Sequence, residues 1–410
     1  MGPALTLAAR SDQNVLPEGA ASERSLEWTV QAAEIAATER PPLSVAIVID
    51  RSGSMADGNR LGFVKQAAGH VLERLDVRDR VAVVTYDDEI NVVSPSVALT
   101  ESVRQKLLRQ VARLAPGGST DLHGGWLAGA EQVADHMAAE GVNRILLLTD
   151  GLANCGVTDR EEIIHHARGL FQRGVATSTF GVGRDFNEHL LRPMAERGGG
   201  HYYFIESPSQ IPAIFEQELG ELLSVVANDV RLDVEIPSGF ALTVLGDLVH
   251  EASPLAASVP LASLCSRERR VLYTKLLAPP GLAGEERVVS GRLTWAAAET
   301  GEASVCAGVT LRYVGAADVA ACAVAEDVRE GAGRMEMEVA AAEAMVMEKR
   351  GDRRGARRHL GEAVLAYSPV LPMLDRAEYE ALAERLSSGL TEDERKGRDY
   401  VAYRRRHSRE

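Results

Sequence analysis

The sequence predicts an α/β chain: a doubly wound, mostly parallel sheet inserted in an antiparallel β-sandwich, followed by a C-terminal α-helical region. Three observations carry this. From about residue 41 to 224, apolar runs of strand length alternate with segments of helical period, which demands a parallel sheet with helices on both faces. From 229 to about 312 the helical period stops and strict alternation takes over, as in Val230-Arg231-Leu232-Asp233-Val234-Glu235-Ile236. From about 320 to the end the pattern is helical again.

The elements follow in order. Leu5-Thr6-Leu7 and the run 26–32 alternate and carry β-branched or aromatic residues, which marks two strands, with Leu26, Trp28, Val30 and Ala32 on one face. No helices lie beside them, so this stretch, from Leu5 to about Ala37, is expected to complete the later sandwich. The α/β unit then reads as strand 43–50, helix 60–75, strand 80–86, edge strand 90–94, and helices 101–114 and 122–139. Strand 144–149, helix 160–173, strand 175–182, helix 187–197, strand 201–205 and helix 208–224 complete it. Further strands are expected at 270–276 and 305–313, with turns at Pro237-Ser238-Gly239 and Pro279-Pro280-Gly281. The last region reads as helices 335–349, 354–367 and 376–386, the first two forming a hairpin about Gly351-Asp352 that packs on the sandwich. Its helix–turn spacing loosely resembles one tetratricopeptide hairpin, but it does not repeat, and that fold needs stacked copies. Its methionines at 335, 337, 345 and 347 suit a core or a partner-facing surface. The expected division is 1–40 and 225–318 for the sandwich, 41–224 for the α/β unit and 319–410 for the helices.

The chemistry concentrates at the ends of two strands. Val45-Ala46-Ile47-Val48-Ile49 is apolar throughout and reads as a strand buried on both faces. It ends in Asp50, and Ser52 and Ser54 follow at alternate positions, with Gly53 permitting the turn. Ile145-Leu146-Leu147-Leu148-Thr149-Asp150-Gly151 repeats the design, and Gly117-Gly118-Ser119-Thr120-Asp121 offers a threonine on a glycine-rich turn. Open α/β sheets place ligands at the C-terminal ends of their strands. Carboxylates with hydroxyls are hard oxygen donors, suited to Mg²⁺ or Mn²⁺ rather than zinc. The bland alternative is that these residues cap helices and turns. Three such pieces in one order, two of them on apolar strands, favour a metal site.

Asp50, Ser52, Ser54, Thr120 and Asp150 together resemble the metal-ion-dependent adhesion site of von Willebrand factor type A domains of bacterial type, a Rossmann-like fold. The motif Asp-x-Ser-x-Ser, then a distant Thr, then a distant Asp is matched without departure. The resemblance covers about Pro41 to Ser224. It implies that the serines bind the metal directly, the aspartates directly or through water, and the threonine when ligand is present. It further implies Mg²⁺, with Mn²⁺ or Ca²⁺ as alternatives, and an acidic residue of a partner protein completing the metal's shell. In related domains the helix after the last strand shifts on ligation, which places 208–224 in the coupling path. Bacterial relatives often insert the domain in a sandwich and work beside AAA-type ATPases, kinases or phosphatases.

Composition narrows the rest. A chain of 410 residues exceeds one compact core. A net charge of −14, with no basic patch interleaved with aromatics, argues against nucleic acid as a partner. The basic tail Arg404-Arg405-Arg406-His407-Ser408-Arg409 is expected to be a solvated terminus. No apolar run approaches the ~20 residues that span a bilayer, and the first residues lack a signal-peptide pattern. Cys155, Cys265, Cys306 and Cys322 show no metal spacing and are expected to be free thiols in the cytoplasm.

No set of catalytic residues is found. H-E-x-x-H, G-x-S-x-G and the P-loop are all missing. His165-His166 reads as a surface or half-buried pair, and Gly181-Val182-Gly183 lacks the third glycine of a nucleotide loop. Asp87 and Asp88 follow a strand and could face the rim of the metal site, but are expected in a solvated loop. Asp121 is expected to cap the helix it precedes, and Asn154 to order the loop after Asp150. The resulting expectation is a non-enzymatic, metal-dependent protein-interaction module, a scaffold or regulator in an intracellular complex. Its rivals are a subunit of an AAA-ATPase-linked chelatase or remodelling machine, and a metal-dependent phosphoesterase. The latter needs a second metal or a general base beside the first.

Overall fold

The computed structural model describes residues 4–34, 41–138, 141–150, 153–183, 186–246, 248, 250–297 and 301–406. Several expectations fall partly outside them: residues 35–37 of the N-terminal stretch, residue 139 of a helix, Gly151 and the tail beyond 406. The chain forms two units. One comprises 34–228 with 262–266, the other the residues up to 33, 229–261 and 267–410.

The sandwich-bearing unit begins with β1 (Leu5–Ser11), β2 (Val15–Pro17) and β3 (Ser22–Ala32). The α/β unit follows with β4 (Leu43–Asp50), α1 (Arg60–Arg74), β5 (Arg80–Tyr86), β6 (Ile90–Ala98), α2 (Glu101–Ala112) and α3 (Leu122–Ala134). It continues through β7 (Val142–Thr149), α4 (Arg160–Phe171), β8 (Ala176–Val182), α5 (Glu188–Arg197), β9 (Gly199–Ile205) and α6 (Ile211–Leu222). Its sheet runs β6-β5-β4-β7-β8-β9, parallel except for the antiparallel edge strand β6. All eight residues of β4 and of β7 are buried. Val45, Ile47 and Ile49 pack into one core with Leu61 and Val64 of α1 and Phe215 and Leu219 of α6. Ala46 and Val48 point the other way, where α3 lies so close that a Cβ on Gly129 would stand 2.4 Å from Val48 Cγ2. Helices on both faces make the sheet doubly wound. The chain moves outward from β4 to β6, returns to β7, and moves outward again the other way. The pair β4–β7 is therefore the switch point of the sheet.

The other strands are β10 (Val225–Glu235), β11 (Ala241–Val244), β12 (Glu251–Ser253), β13 (Ala256–Cys265), β14 (Arg269–Ala278), β15 (Glu286–Ala297) and β16 (Gly301–Val314). They form two sheets with the N-terminal strands, β1-β3-β14-β11 and β12-β13-β10-β15-β16-β2. Trp28 of β3 crosses between them, since a Cβ on Gly291 of β15 would stand 2.4 Å from its ring. The pairs β1–β3, β3–β14, β11–β14, β12–β13 and β15–β16 are antiparallel, whereas β2 pairs with β16 over three residues in parallel register. Helices α7 (Ala316–Ala321), α8 (Glu326–Lys349), α9 (Arg353–Tyr367), α10 (Met373–Ser388) and α11 (Glu392–Arg406) follow. An aspartate opens α9: Asp352 accepts a hydrogen bond from Gly355 N at 2.8 Å, just after Gly351, whose φ is +90°.

Several bounds differ from the sequence reading. The edge strand β6 runs to Ala98, past Pro95, because register shifts against β5 free the proline from the ladder. Helix α3 ends at Ala134, and α8 starts at Glu326, nine residues before the expected start at 335. The first three residues of the basic tail, 404–406, form the end of α11.

Candidate metal centre

The site is built where β4 and β7 end side by side. Val48 pairs with Leu147 and Ile49 with Leu148, so Asp50 and Asp150 leave the sheet at one edge. Asp50 is fully buried. Its Oδ1 accepts a hydrogen bond from Ser52 N at 2.8 Å, and its Oδ2 accepts from Thr149 Oγ1 at 2.7 Å and from Tyr86 OH at 3.4 Å. After Asp50 the chain turns into a 3-10 segment, Gly53–Asn59, pinned by the buried Met55. This turn brings Ser52 Oγ within 3.2 Å of Ser54 Oγ. Ser54 Oγ in turn donates to Asp150 Oδ1 at 2.9 Å.

Thr120 enters through its backbone. Gly53 N donates to Gly118 O at 2.9 Å and Gly117 N to Arg51 O at 2.6 Å, so the glycine-rich loop is held against the serine loop. Thr120 N donates to Asn154 Oδ1 at 2.7 Å, and Asn154 N and Cys155 N donate back to Thr120 O at 3.1 and 3.2 Å. Asn154 thus ties the loop after Asp150 to the loop before α3. Asp121 caps α3, accepting from Gly124 N at 2.9 Å. The structure therefore gathers Asp50, Ser52, Ser54 and Asp150 in one hydrogen-bonded group and sets the Thr120 loop beside it.

Asp87 departs from the expected solvated loop. It is buried, accepts from Gly118 N at 3.0 Å and pairs with Arg51 at 2.9 Å. Burial opposes its charge, but the N–H groups of Glu89 and Gly118 and the Arg51 guanidinium outweigh that and hold the carboxyl below its usual range. A Cβ on Gly117 would stand 1.7 Å from Asp87 Oδ2, so this loop needs glycine to seat the carboxylate. Asp88 is exposed.

Arg60 joins the site without a sequence signal, since an arginine opening a helix announces no such role. From the start of α1, its NH1 lies 2.9 Å from Asp150 Oδ2, leaving Oδ1 to Ser54. Its guanidinium lies against Gly183, where φ is +83° and a Cβ would stand 2.7 Å from Nε. That contact accounts for the second glycine of Gly181-Val182-Gly183. Thr149 does carry a signal, as a hydroxyl among leucines, and it supplies the hydrogen bond that orients Asp50. His166 is half-buried and meets His123 of α3, with Nδ1 and Nε2 2.9 Å apart, while His165 is exposed.

The donor set suits a divalent cation. Its donors are all oxygens. An octahedral ion with ~2.1 Å bonds sets neighbouring ligand atoms about 3.0 Å apart, and the observed edges are 3.2 and 2.9 Å. Burial drives the Asp50 pKa up to about 6, partly offset by the hydrogen bonds from Ser52 and Thr149 and reinforced by the charge of Asp150. A buried carboxyl held this far up is poised to exchange its proton for a cation. The residues fit.

Comparison with known proteins agrees with the fold. Residues 44–217 match the family described as von Willebrand factor type A domain. A solved structure described as von Willebrand factor type A from Catenulispora acidiphila superposes with a TM-score of 0.72 at 20% identity, covering 94% of this chain and 88% of that one. The ArnB paralog VWA2 from Sulfolobus acidocaldarius superposes with a TM-score of 0.60 at 16% identity over the full length of both. At these identities the likeness shows the fold alone. An uncharacterized Escherichia coli protein, YfbK, is 31% identical over 198 residues, 48% of this chain but only 34% of that protein. An uncharacterized protein of Synechocystis is 26% identical over 405 residues, covering 94% of this chain and 93% of its own. Bacteria thus hold relatives of this chain, and its residues 44–217 match the von Willebrand factor type A family and have that fold.

Proposed function

We propose that the chain is a non-enzymatic interaction module that binds an acidic residue of a partner protein through a divalent cation, Mg²⁺ before Mn²⁺ or Ca²⁺, held by Asp50, Ser52, Ser54, Thr120 and Asp150. The observation that carries this is the run of oxygens Ser52 Oγ, Ser54 Oγ and Asp150 Oδ1 at 3.2 and 2.9 Å, above the buried Asp50. Bound there, the cation supplies a Lewis-acidic contact for a carboxylate. The chain's residues set its charge and aim. Asp50 and Asp150 bring two negative charges and Arg60 returns one positive, so the loaded site keeps a net positive charge toward an incoming carboxylate. Asp87 and Asn154 hold the loops that frame it.

The proposal assigns 1–40 and 225–318 to the sandwich that carries the domain, 41–224 to the domain itself and 319–410 to the helical region. It places the protein in the cytoplasm, as a scaffold or regulatory component, with support from the four free cysteines. Among the described residues, no helix is long and apolar enough to cross a membrane. A net charge of −14 leaves nucleic acid out as a partner. An AAA-type ATPase, kinase or phosphatase remains the partner class that the resemblance suggests.

The test is calorimetric titration of Mg²⁺ and Mn²⁺ into the full chain and into Asp50→Ala and Ser54→Ala, followed by pull-down with Mg²⁺ or with EDTA. The expected result is one ion per chain, lost in both variants, and a partner retained only with metal. Wild-type protein that takes up neither ion, even with an acidic peptide present, would sink the reading.

A further inference from the structure

A second group of ligand-bearing side chains lies at the other edge of the same sheet. His201 sits near the start of β9, and Glu218 and Glu221 stand three residues apart on one face of α6. His201 Nδ1 lies 2.7 Å from Glu218 Oε2 and 2.9 Å from Glu221 Oε2. One ligand atom from each residue falls within 4.8 Å of the others. Asp50 and Asp150 leave the C-terminal ends of β4 and β7, whereas His201 is the third residue of β9 and Ser178 the third of β8. The two groups therefore occupy opposite ends of parallel strands.

The surroundings are those of a supported ligand set. Glu218 is fully buried, while His201 and Glu221 keep 13% and 21% of their side chains exposed, so the group opens to solvent on one side. Ser178 Oγ donates to Glu218 Oε1 at 2.6 Å and Tyr203 OH to Oε2 at 2.8 Å. Behind them Arg144 NH1 donates to Ser178 Oγ at 3.3 Å. Ligating carboxylates are commonly held by such outer hydrogen bonds.

An imidazole nitrogen carries at most one proton, directed along one line in the ring plane. Here two carboxylate oxygens from different side chains reach the same Nδ1, so its single N–H would have to be shared between them in a three-centre bond, poorer than a linear one to either. A cation in front of Nδ1 meets all three atoms at once. The nitrogen disfavours Mg²⁺ and Ca²⁺, which take oxygen, and favours a zinc-type ion, which takes imidazole and carboxylate together. A tetrahedral ion with ~2.0–2.1 Å bonds sets its ligands about 3.3 Å apart, so each glutamate oxygen, at 2.7 and 2.9 Å, needs to draw back from Nδ1 by only about half an ångström.

We propose that His201, Glu218 and Glu221 form a second cation site, which takes a divalent transition metal of zinc type, leaves one position open to water, and clamps α6 to β9.

The test is calorimetric titration of Zn²⁺ into the full chain with Mg²⁺ in large excess, together with thermal melting followed by circular dichroism. Wild type is expected to bind one Zn²⁺ per chain at this site and to melt higher when loaded. Glu221→Gln keeps the side chain's shape at a partly exposed position, and it should lose about tenfold or more in Zn²⁺ affinity along with the melting shift. His201→Ala should lose the same. His166→Ala, which breaks the pair with His123, should bind Zn²⁺ at this site as wild type does. Asp50→Ala should also retain the Zn²⁺ while losing Mg²⁺, which separates this site from the one proposed above. Wild-type protein with no Zn²⁺ uptake, or Glu221→Gln with wild-type uptake, would overturn the proposal and leave the triad as an ion pair between β9 and α6. Should His201→Ala fail to fold, Glu221→Gln decides alone.

Discussion

Asp50 faces two demands: the fold buries it completely, and the proposed function needs it charged. Its pKa is pushed up from 3.8 to about 6, chiefly by burial. A carboxyl whose folded pKa lies above its unfolded value favours the fold while protonated. That stabilisation is fully present below pH 3.8 and is lost as the pH rises through about 6. The difference amounts to about 3 kcal/mol in the metal-free protein. Metal-free wild type should therefore lose stability between pH 4 and pH 7 relative to Asp50→Asn, and Mg²⁺ should restore it at pH 7. Uptake of Mg²⁺ should fall about tenfold per pH unit below about 6 and level off above. Chemical denaturation in EDTA across this range checks the first, and titration at each pH the second. Parallel profiles for wild type and Asp50→Asn would remove the argument. At this scale the candidate ligands were legible, because their spacing is local within each piece. Arg60 was not, and Asp87 was placed only as a possible rim residue, because what each touches is set by loops that meet only in the folded chain.

At the scale of single elements, glycine proved the least legible residue. The helix expected from Met335 starts at Glu326 and so includes Gly331-Ala332-Gly333, although glycine costs a helix interior about 1 kcal/mol each. The helix runs through them, since a Cβ on Gly331 would stand 2.1 Å from Tyr273 OH of β14. Close approach to the sheet offsets the propensity. The same trade governs α3, where Gly125 lies against the Tyr86 ring and Gly129 against Val48. Gly129→Ala should cost about 1–3 kcal/mol through overpacking, and Mg²⁺ affinity should fall with it because α3 follows the Thr120 loop. Urea denaturation and metal titration would read both. An unchanged midpoint would mean that α3 shifts freely on the sheet. Strands were easier to read, because β4, β7 and β10 announce themselves by composition or alternation. β2 and the three-residue β12 were too short to do so.

For the molecule as a whole, the sheet order puts β3 between β1 and β14, and β2 against β16. A chain beginning at Pro41 lacks all three N-terminal strands and so bares β14, an inner strand, along one side. It should also uncover Gly291, which Trp28 packs against. Limited proteolysis should cut this shortened chain within 229–314, while the full chain resists there. Equal resistance would show that the later strands close without β1–β3. Strand–helix alternation made the α/β class readable at a distance. The sandwich was readable only by inference, because its strands pair across most of the chain.

That separation sets a timetable for the nascent chain. The indole of Trp28 donates to Thr274 Oγ1 over a gap of 246 residues. At ~5–20 residues per second, a ribosome needs about 12–50 s to deliver the second partner after the first. The α/β unit has its own core and can finish folding during that interval. β1 and β3 must wait, joined to each other through paired residues such as Ala9 and Trp28, with the outer edge of β3 unclaimed. Whatever shields that edge during synthesis, whether a chaperone or the ribosome surface, would govern the yield of folded protein more than the stability of the finished sandwich does.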